Sequence, residues 1–228
     1  MAKQFGFKNK GINRIVNWVI YPSLIINLFF MVATPEYRTT GFIYLAIAII
    51  SLIVMYTDKN GFYGMSTNFF RAGIWGLATL SGFLVISKLI PSFTLLIPSL
   101  PFSILSGIRF VIIVLIAPPL EEILFNSVIL TRLIERYGLS FLTANSIKSG
   151  IFGGYHITAY GIILGALDSL IELFGQLAAI SGLIITSVAF SFWVGYLVYK
   201  YKDVLVGWGS HTFVNGALWT LGFVIVTV

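Results

Sequence analysis

VIIVLIAPPLEEILFNSVIL, residues 111–130, is long enough to cross a bilayer and carries two adjacent carboxylates, Glu121 and Glu122, near its middle. A spanning helix needs about 20 mostly apolar residues. Acidic side chains at that depth are costly, and they usually mark function. The run belongs to a longer apolar segment, 104–131, in which Pro118 and Pro119 predict either two helical pieces or one kinked helix. The plainer alternative puts the two glutamates in a short cytoplasmic loop after the prolines.

Working outward, six further runs have spanning length and apolarity: 15–34, 41–57, 72–90, 149–167, 179–199 and 204–226. The composition fits them. Hydrophobic residues make up 58% of the 228-residue chain and charged residues 10%, whereas soluble domains carry about 25% charge. The sequence therefore predicts an all-α, polytopic transmembrane helix bundle of about seven spans. Residues 1–103 are expected to supply N-terminal helices without motifs, and residues 104–228 the functional core. The first run follows Lys3, Lys8, Lys10 and Arg14 like a signal peptide, but its length and the six later runs favour an uncleaved span. The absence of cysteine excludes a disulfide framework, thiol catalysis, thiolate metal ligands and prenylation of the chain itself.

The net charge of +6 is spread between the apolar runs, which reads as membrane orientation rather than nucleic-acid binding. With a cytoplasmic N-terminus, the inside segments hold Lys3, Lys8, Lys10, Arg14, Lys59, Arg71, Arg132, Arg136, Lys148, Lys200 and Lys202. The outside segments hold Arg38, Lys88 and Arg109. An 11-to-3 split obeys the positive-inside rule and places the C-terminus outside a multi-pass cell-membrane protein. Gly150/Gly154 and Gly161/Gly165 are small-residue pairs suited to close helix packing in lipid. Trp18, Trp75, Trp193, Trp208 and Trp219 fall mostly near span ends, as interfacial aromatics do.

Few polar groups remain. Glu36, Asp58, Glu135 and Asp203 read as solvated loop or helix-end residues, and Asp168 and Glu172 as outer-surface residues. The only two histidines, His156 and His211, both lie in apolar runs. Asn215 follows His211 by one helical turn and shares its face. Glu121, His156 and His211 lie 11, 8 and 9 residues from Arg132, Lys148 and Lys202, the basic residues taken as cytoplasmic markers. Those separations correspond to roughly 12–17 Å of helix rise. Three helices thus bring polar groups to one level.

A carboxylate held away from bulk water can act as a general base on a water molecule, and an imidazole can hold that water or relay its proton. A second imidazole with an amide one turn away can donate to a developing oxyanion. This chemistry attacks an amide without a Ser or Cys nucleophile. Two His with one or two Glu also suit Zn²⁺ or another divalent metal, with Glu121, His156 and His211 as ligands. No H-E-x-x-H motif demands one. No other cofactor is expected.

Glu121-Glu122, Phe152-Gly-Gly-Tyr-His156 and His211-Thr-Phe-Val-Asn215, in that order, resemble the motifs of the CPBP family: CAAX prenyl endopeptidases and the bacteriocin-processing and self-immunity (Abi) proteins. Ala117-Pro-Pro-Leu and Gly195-Tyr-Leu-Val-Tyr-Lys-Tyr agree as flanks, and the resemblance covers roughly residues 110–228. It implies an intramembrane endopeptidase in which Glu121 and His156 activate water, His211 and Asn215 stabilise the oxyanion, and Glu122 supports the site. It leaves glutamate-type and metal-dependent chemistry open. It also implies bacteriocin self-immunity or peptide maturation as the setting, with membrane lipid, a peptide or protein substrate, and a bacteriocin or its receptor as partners. Where the family pattern has arginine this chain has Asn126, which cannot supply charge; the segment 157–178 also looks long. Two rival readings follow: an inactive immunity protein that binds a toxin or its receptor, and a proton-coupled transporter. No repeated halves support the transporter.

Overall fold

The structure is a computed structural model, and it describes residues 10–26, 37–57, 63–89, 111–161 and 170–220. Among them the chain is helical, without strands. The first helical run begins with α1 (Lys10–Ile15) and passes through a π-helical turn, Val16–Ile20, to residue 26. Helices α2 (Tyr37–Thr57) and α3 (Phe69–Leu89) follow. The central run alternates between two windings: π-helical Val111–Ile116, α4 (Ala117–Glu122), π-helical Ile123–Leu130 and α5 (Thr131–Glu135). Helices α6 (Phe141–Gly161), α7 (Leu170–Tyr201) and α8 (Val204–Thr220) complete the order. The described residues of each of the seven apolar runs fall on one of these helical runs.

The segment around Pro118-Pro119 is one continuous helical run. The prolines cannot donate a backbone hydrogen bond, and they occupy the first turn of α4, where a missing N–H costs least. Glu121 and Glu122 therefore sit on a helix and not in a loop. Helix α6 starts eight residues before its apolar run. Ser140 caps it, its Oγ accepting from Thr143 N at 3.2 Å. The polar residues of its first turns, Asn145 and Lys148, are buried against α7, so polarity alone placed the helix start too late.

The central run lies inside the bundle. Residues 123–132 are all buried, and this run is packed by α2, α6, α7 and α8. A helix apolar on every side belongs in such a place. Its stretch Val114–Glu135 is, among the described residues, the one helix long and apolar enough to cross a membrane.

Large apolar side chains lie on the surface as well as in the core, and several polar ones are buried. Ser51, Thr79, Glu122, Asn126, Asn145, Lys148, Ser191 and His211 are buried, while Trp18, Ile53, Phe70, Leu77 and Ile185 are exposed. On α3 the exposed Phe70, Ile74 and Leu77 share one face. Ala72, Gly76 and Thr79 turn inward toward α8. Apolar surface on this scale needs a non-aqueous neighbour.

Several sequence expectations change. Asp203 is buried, not solvated. Its Oδ1 caps α8 by accepting from Leu205 N at 3.0 Å, and both carboxylate oxygens hold Ser66. Arg132 and Lys148, taken as cytoplasmic markers, are fully buried. Arg132 Nη2 donates to Asn17 Oδ1 at 2.7 Å, and Lys148 Nζ donates to Ser191 O at 2.6 Å and Ser191 Oγ at 2.9 Å. Gly150 and Gly154 face open space; the close approaches fall at Gly76 against Phe213, Gly153 against Val188, Gly195 against Asn145 and Lys148, and at Gly207 and Gly209 of α8. Beside the α8 start, Lys202 Nζ donates to Tyr63 Oη at 2.8 Å. Burial pushes that phenol up and that ammonium down from their ordinary values. The expectations for Lys3, Lys8, Glu36, Asp58, Lys59, Arg109, Gly165 and Asp168 lie outside the described residues, as do the side chains of Lys10, Arg38, Lys88, Gly161, Glu172 and Trp219.

Candidate active site

Helix α4 carries Glu121 and Glu122 at its C-terminal end, where the winding loosens into the π-helical stretch Ile123–Leu130. Such transitions recur at functional sites. Helix α8 packs against α4, and it does so closely because it presents Gly207 there. A Cβ at that position would lie 2.5 Å from Glu122 Oε2 and 2.8 Å from Val198 Cγ2.

One turn further along α8, the His211 imidazole reaches both glutamates. Its Nδ1 is 3.0 Å from Glu122 Oε1, and its Nε2 is 3.5 Å from Glu121 Oε2. Glu122 is almost fully buried, and its second oxygen accepts a hydrogen bond from Asn126 Nδ2. The Glu121 side chain keeps 14% of its surface exposed against 3% for Glu122. The two adjacent carboxylates are therefore unlike: one is enclosed with both oxygens bound, and the other is open on one side.

His156 comes from α6. Its Nδ1 lies 2.9 Å from Phe152 O one turn earlier. In the tautomer that donates this bond, Nε2 is left as an acceptor. Phe152 sits between the two histidines, its ring 4.3 Å from that of His156 and 6.0 Å from that of His211. Phe190 of α7 closes the other side of His211 at 5.1 Å. Asn215 lies one turn beyond His211 on α8 and is half-buried.

The geometry brings Glu121, Glu122 and His211 into direct contact, with His156 beside them. Asn126, Gly207, Phe152 and Phe190 complete the surroundings. Of these, Phe152 stands in one of the sequence motifs, and Asn126 stood out only as the residue at the family's arginine position. Gly207 had only the weak signal of a glycine one turn before a buried histidine. Phe190 had none.

Residues 103–217 match the family model for the type II CAAX prenyl endopeptidase Rce1-like proteins, half of the 228-residue chain and every residue of the site. The chain belongs to this family. The match agrees with the CPBP resemblance of its motifs, and it makes the chain a member of a membrane-embedded endopeptidase family. No curated protein and no solved structure matches the chain.

Does this Rce1-like site suit a divalent metal? Among the described residues, no three His, Asp or Glu side chains form a group that could hold one. The reason lies in the contacts: both His211 nitrogens face carboxylates, and His156 Nδ1 faces a carbonyl. His211 is taken up by the carboxylates, which leaves the open side of Glu121 and His156 Nε2, two donors rather than the three a protein metal site supplies. As arranged they do not fit a metal ion, and no step below uses one.

Proposed function

We propose that the chain is an intramembrane endopeptidase that hydrolyses a peptide bond near the cytoplasmic face by carboxylate-activated water. The observation that carries this reading is the single imidazole placed between two unlike carboxylates. Glu121, the more open of the two, is the general base. Water held by Glu121 and His156 Nε2 adds to the scissile carbonyl carbon while its proton passes to the Glu121 carboxylate. The carbonyl oxygen becomes an oxyanion. His211, held at Nδ1 by Glu122, turns its Nε2–H from Glu121 to the oxyanion once Glu121 has taken the proton, and the Asn215 amide donates beside it. Collapse breaks the C–N bond, and Glu121 returns the proton to the leaving amine.

The seven helical runs, their apolar outer faces and the charge asymmetry support a multi-pass protein with a cytoplasmic N-terminus and an outside C-terminus. The family's description reads CAAX prenyl endopeptidase, so a peptide carrying a lipid near the scissile bond is the substrate class of choice. Bacteriocin self-immunity rests on the motif resemblance alone.

The test is turnover by purified full-length protein in liposomes. Glu121→Ala and His156→Ala should abolish cleavage of a lipidated peptide while thermal unfolding stays cooperative. Wild-type turnover in both variants would sink the proposal. Ion or proton flux without cleavage would move the reading to a transporter.

A further inference from the structure

Two adjacent glutamates face one imidazole, and nothing in their chemistry says which of them should take a proton from water. Their surroundings differ, and the difference traces to one side chain. Asn126 follows Glu122 by one helical turn and is 2% exposed. Its Nδ2 donates to Glu122 Oε2, while His211 Nδ1 meets Oε1 of the same carboxylate. Both Glu122 oxygens are thus committed, one to each neighbour. Asn126 Oδ1 has no hydrogen-bond partner and is buried, so this amide is placed for its donor end at the expense of its acceptor.

We infer that Asn126 is a positioning residue that divides the labour of the two carboxylates. By occupying Oε2 it fixes Glu122 as the group that orients His211 and leaves Glu121 as the base. Gly207 enforces the same arrangement from the opposite helix, since a Cβ there would lie 2.5 Å from that oxygen. A donor of this kind holds a carboxylate without adding a charge of its own. Without Asn126, Glu122 Oε2 would be a buried acceptor with no donor. The carboxylate would rotate toward whatever N–H or water it could reach, and the His211 ring would lose its fixed orientation. A displacement of about 1 Å in a reacting group costs on the order of a hundredfold in rate.

The kinetic part of this inference rests on the peptidase reading; the ring orientation does not. The experiment uses full-length protein in liposomes or detergent with Asn126→Leu, Glu122→Gln and the double variant. Cleavage of a lipidated peptide is followed together with ¹⁵N resonances of the two imidazoles. Asn126→Leu should lower kcat roughly tenfold to a hundredfold with KM unchanged. It should move the His211 nitrogens and leave those of His156 in place. On the Glu122→Gln background it should add nothing further, because it acts through Glu122. Should the leucine variant not fold, Asn126→Ala gives the same readings without added bulk. Unmoved His211 resonances, or losses that multiply independently in the double variant, would overturn the inference. A wild-type protein that cleaves no peptide would sink the peptidase reading, and the resonances would still decide the role of Asn126.

Discussion

His211 Nδ1 lies 3.0 Å from Glu122 Oε1. The contact joins α8 to α4 across 89 residues of sequence and fixes which way the imidazole faces. Neighbouring residues on a helix diverge by about 100°. A ring supplied by another helix, with a nitrogen on each side, can still meet both Glu121 and Glu122.

That geometry predicts different losses for the two amide substitutions. Glu121→Gln removes the base and should cost two to four orders of magnitude in kcat with little change in stability, since Glu121 keeps part of its surface exposed. Glu122→Gln removes the charge that orients His211. Hydrogen bonds to charged groups contribute about 1.5–3 kcal/mol, so this variant should lose both thermal stability and rate. Parallel melting curves and turnover measurements distinguish the two. Equal stability losses would contradict the assigned roles.

Gly207→Ala tests the close approach of α8 to α4. The added methyl would lie 2.5 Å from Glu122 Oε2, 2.8 Å from Val198 Cγ2 and 3.1 Å from Val194 Cγ1. Overpacking of this kind costs about 1–3 kcal/mol, and here the strain falls on the orienting carboxylate. Turnover should drop more steeply than stability. Gly150→Ala is the control: nothing lies within 4 Å of its Cβ position. Replacing a mid-helix glycine by alanine there should stabilise by about 0.5–1 kcal/mol.

Scarcity made the site legible. Only two histidines and one adjacent acidic pair fall within apolar runs, and that scarcity singled them out. Among the described residues, hydropathy located the seven helical runs as well. It could not show which charges were buried for structural reasons. Arg132, Lys148 and Asp203 look in sequence like any loop or helix-end charge, and only the partners Asn17, Ser191 and Ser66 explain their burial. Glycine spacing misled for a related reason. A small pair permits close packing, but which glycine meets a neighbour depends on how the helix is rotated, and that is set by contacts distant in sequence. Asn126 lay between these cases. Its place at the family's arginine position was visible, but its use as a hydrogen-bond donor required the structure.

Asp203 should matter for the site although it lies eight residues from His211. It caps α8 through Leu205 N and ties that end of the helix to Ser66 by bonds of 3.0 and 2.5 Å. Loss of an N-cap costs about 0.5–2 kcal/mol. Asp203→Ala should lower the unfolding temperature by that measure, with a further loss from the released Ser66 segment. Asp203→Asn keeps an acceptor for the cap and should be milder. If alanine and asparagine melt alike, the capping bond contributes little and the clamp on Ser66 supplies most of the stabilisation.

The exposed apolar side chains predict where lipid touches the protein. Trp18 is 78% exposed and Phe70 79% exposed, and water would be an unfavourable neighbour for either. In liposomes, brominated acyl chains should quench the fluorescence of a variant that keeps Trp18 as its only tryptophan, and aqueous acrylamide should quench it weakly. Because the chain has no cysteine, topology can be read with single introduced thiols. Tyr137→Cys, in the exposed turn between α5 and α6, should react with an impermeant reagent only from the cytoplasmic side. Glu36→Cys should react only from the outside. Labelling of both from one side would reject the proposed orientation, since the apolar runs 41–57, 72–90 and 104–131 lie between those positions, and an odd number of crossings leaves them on opposite faces.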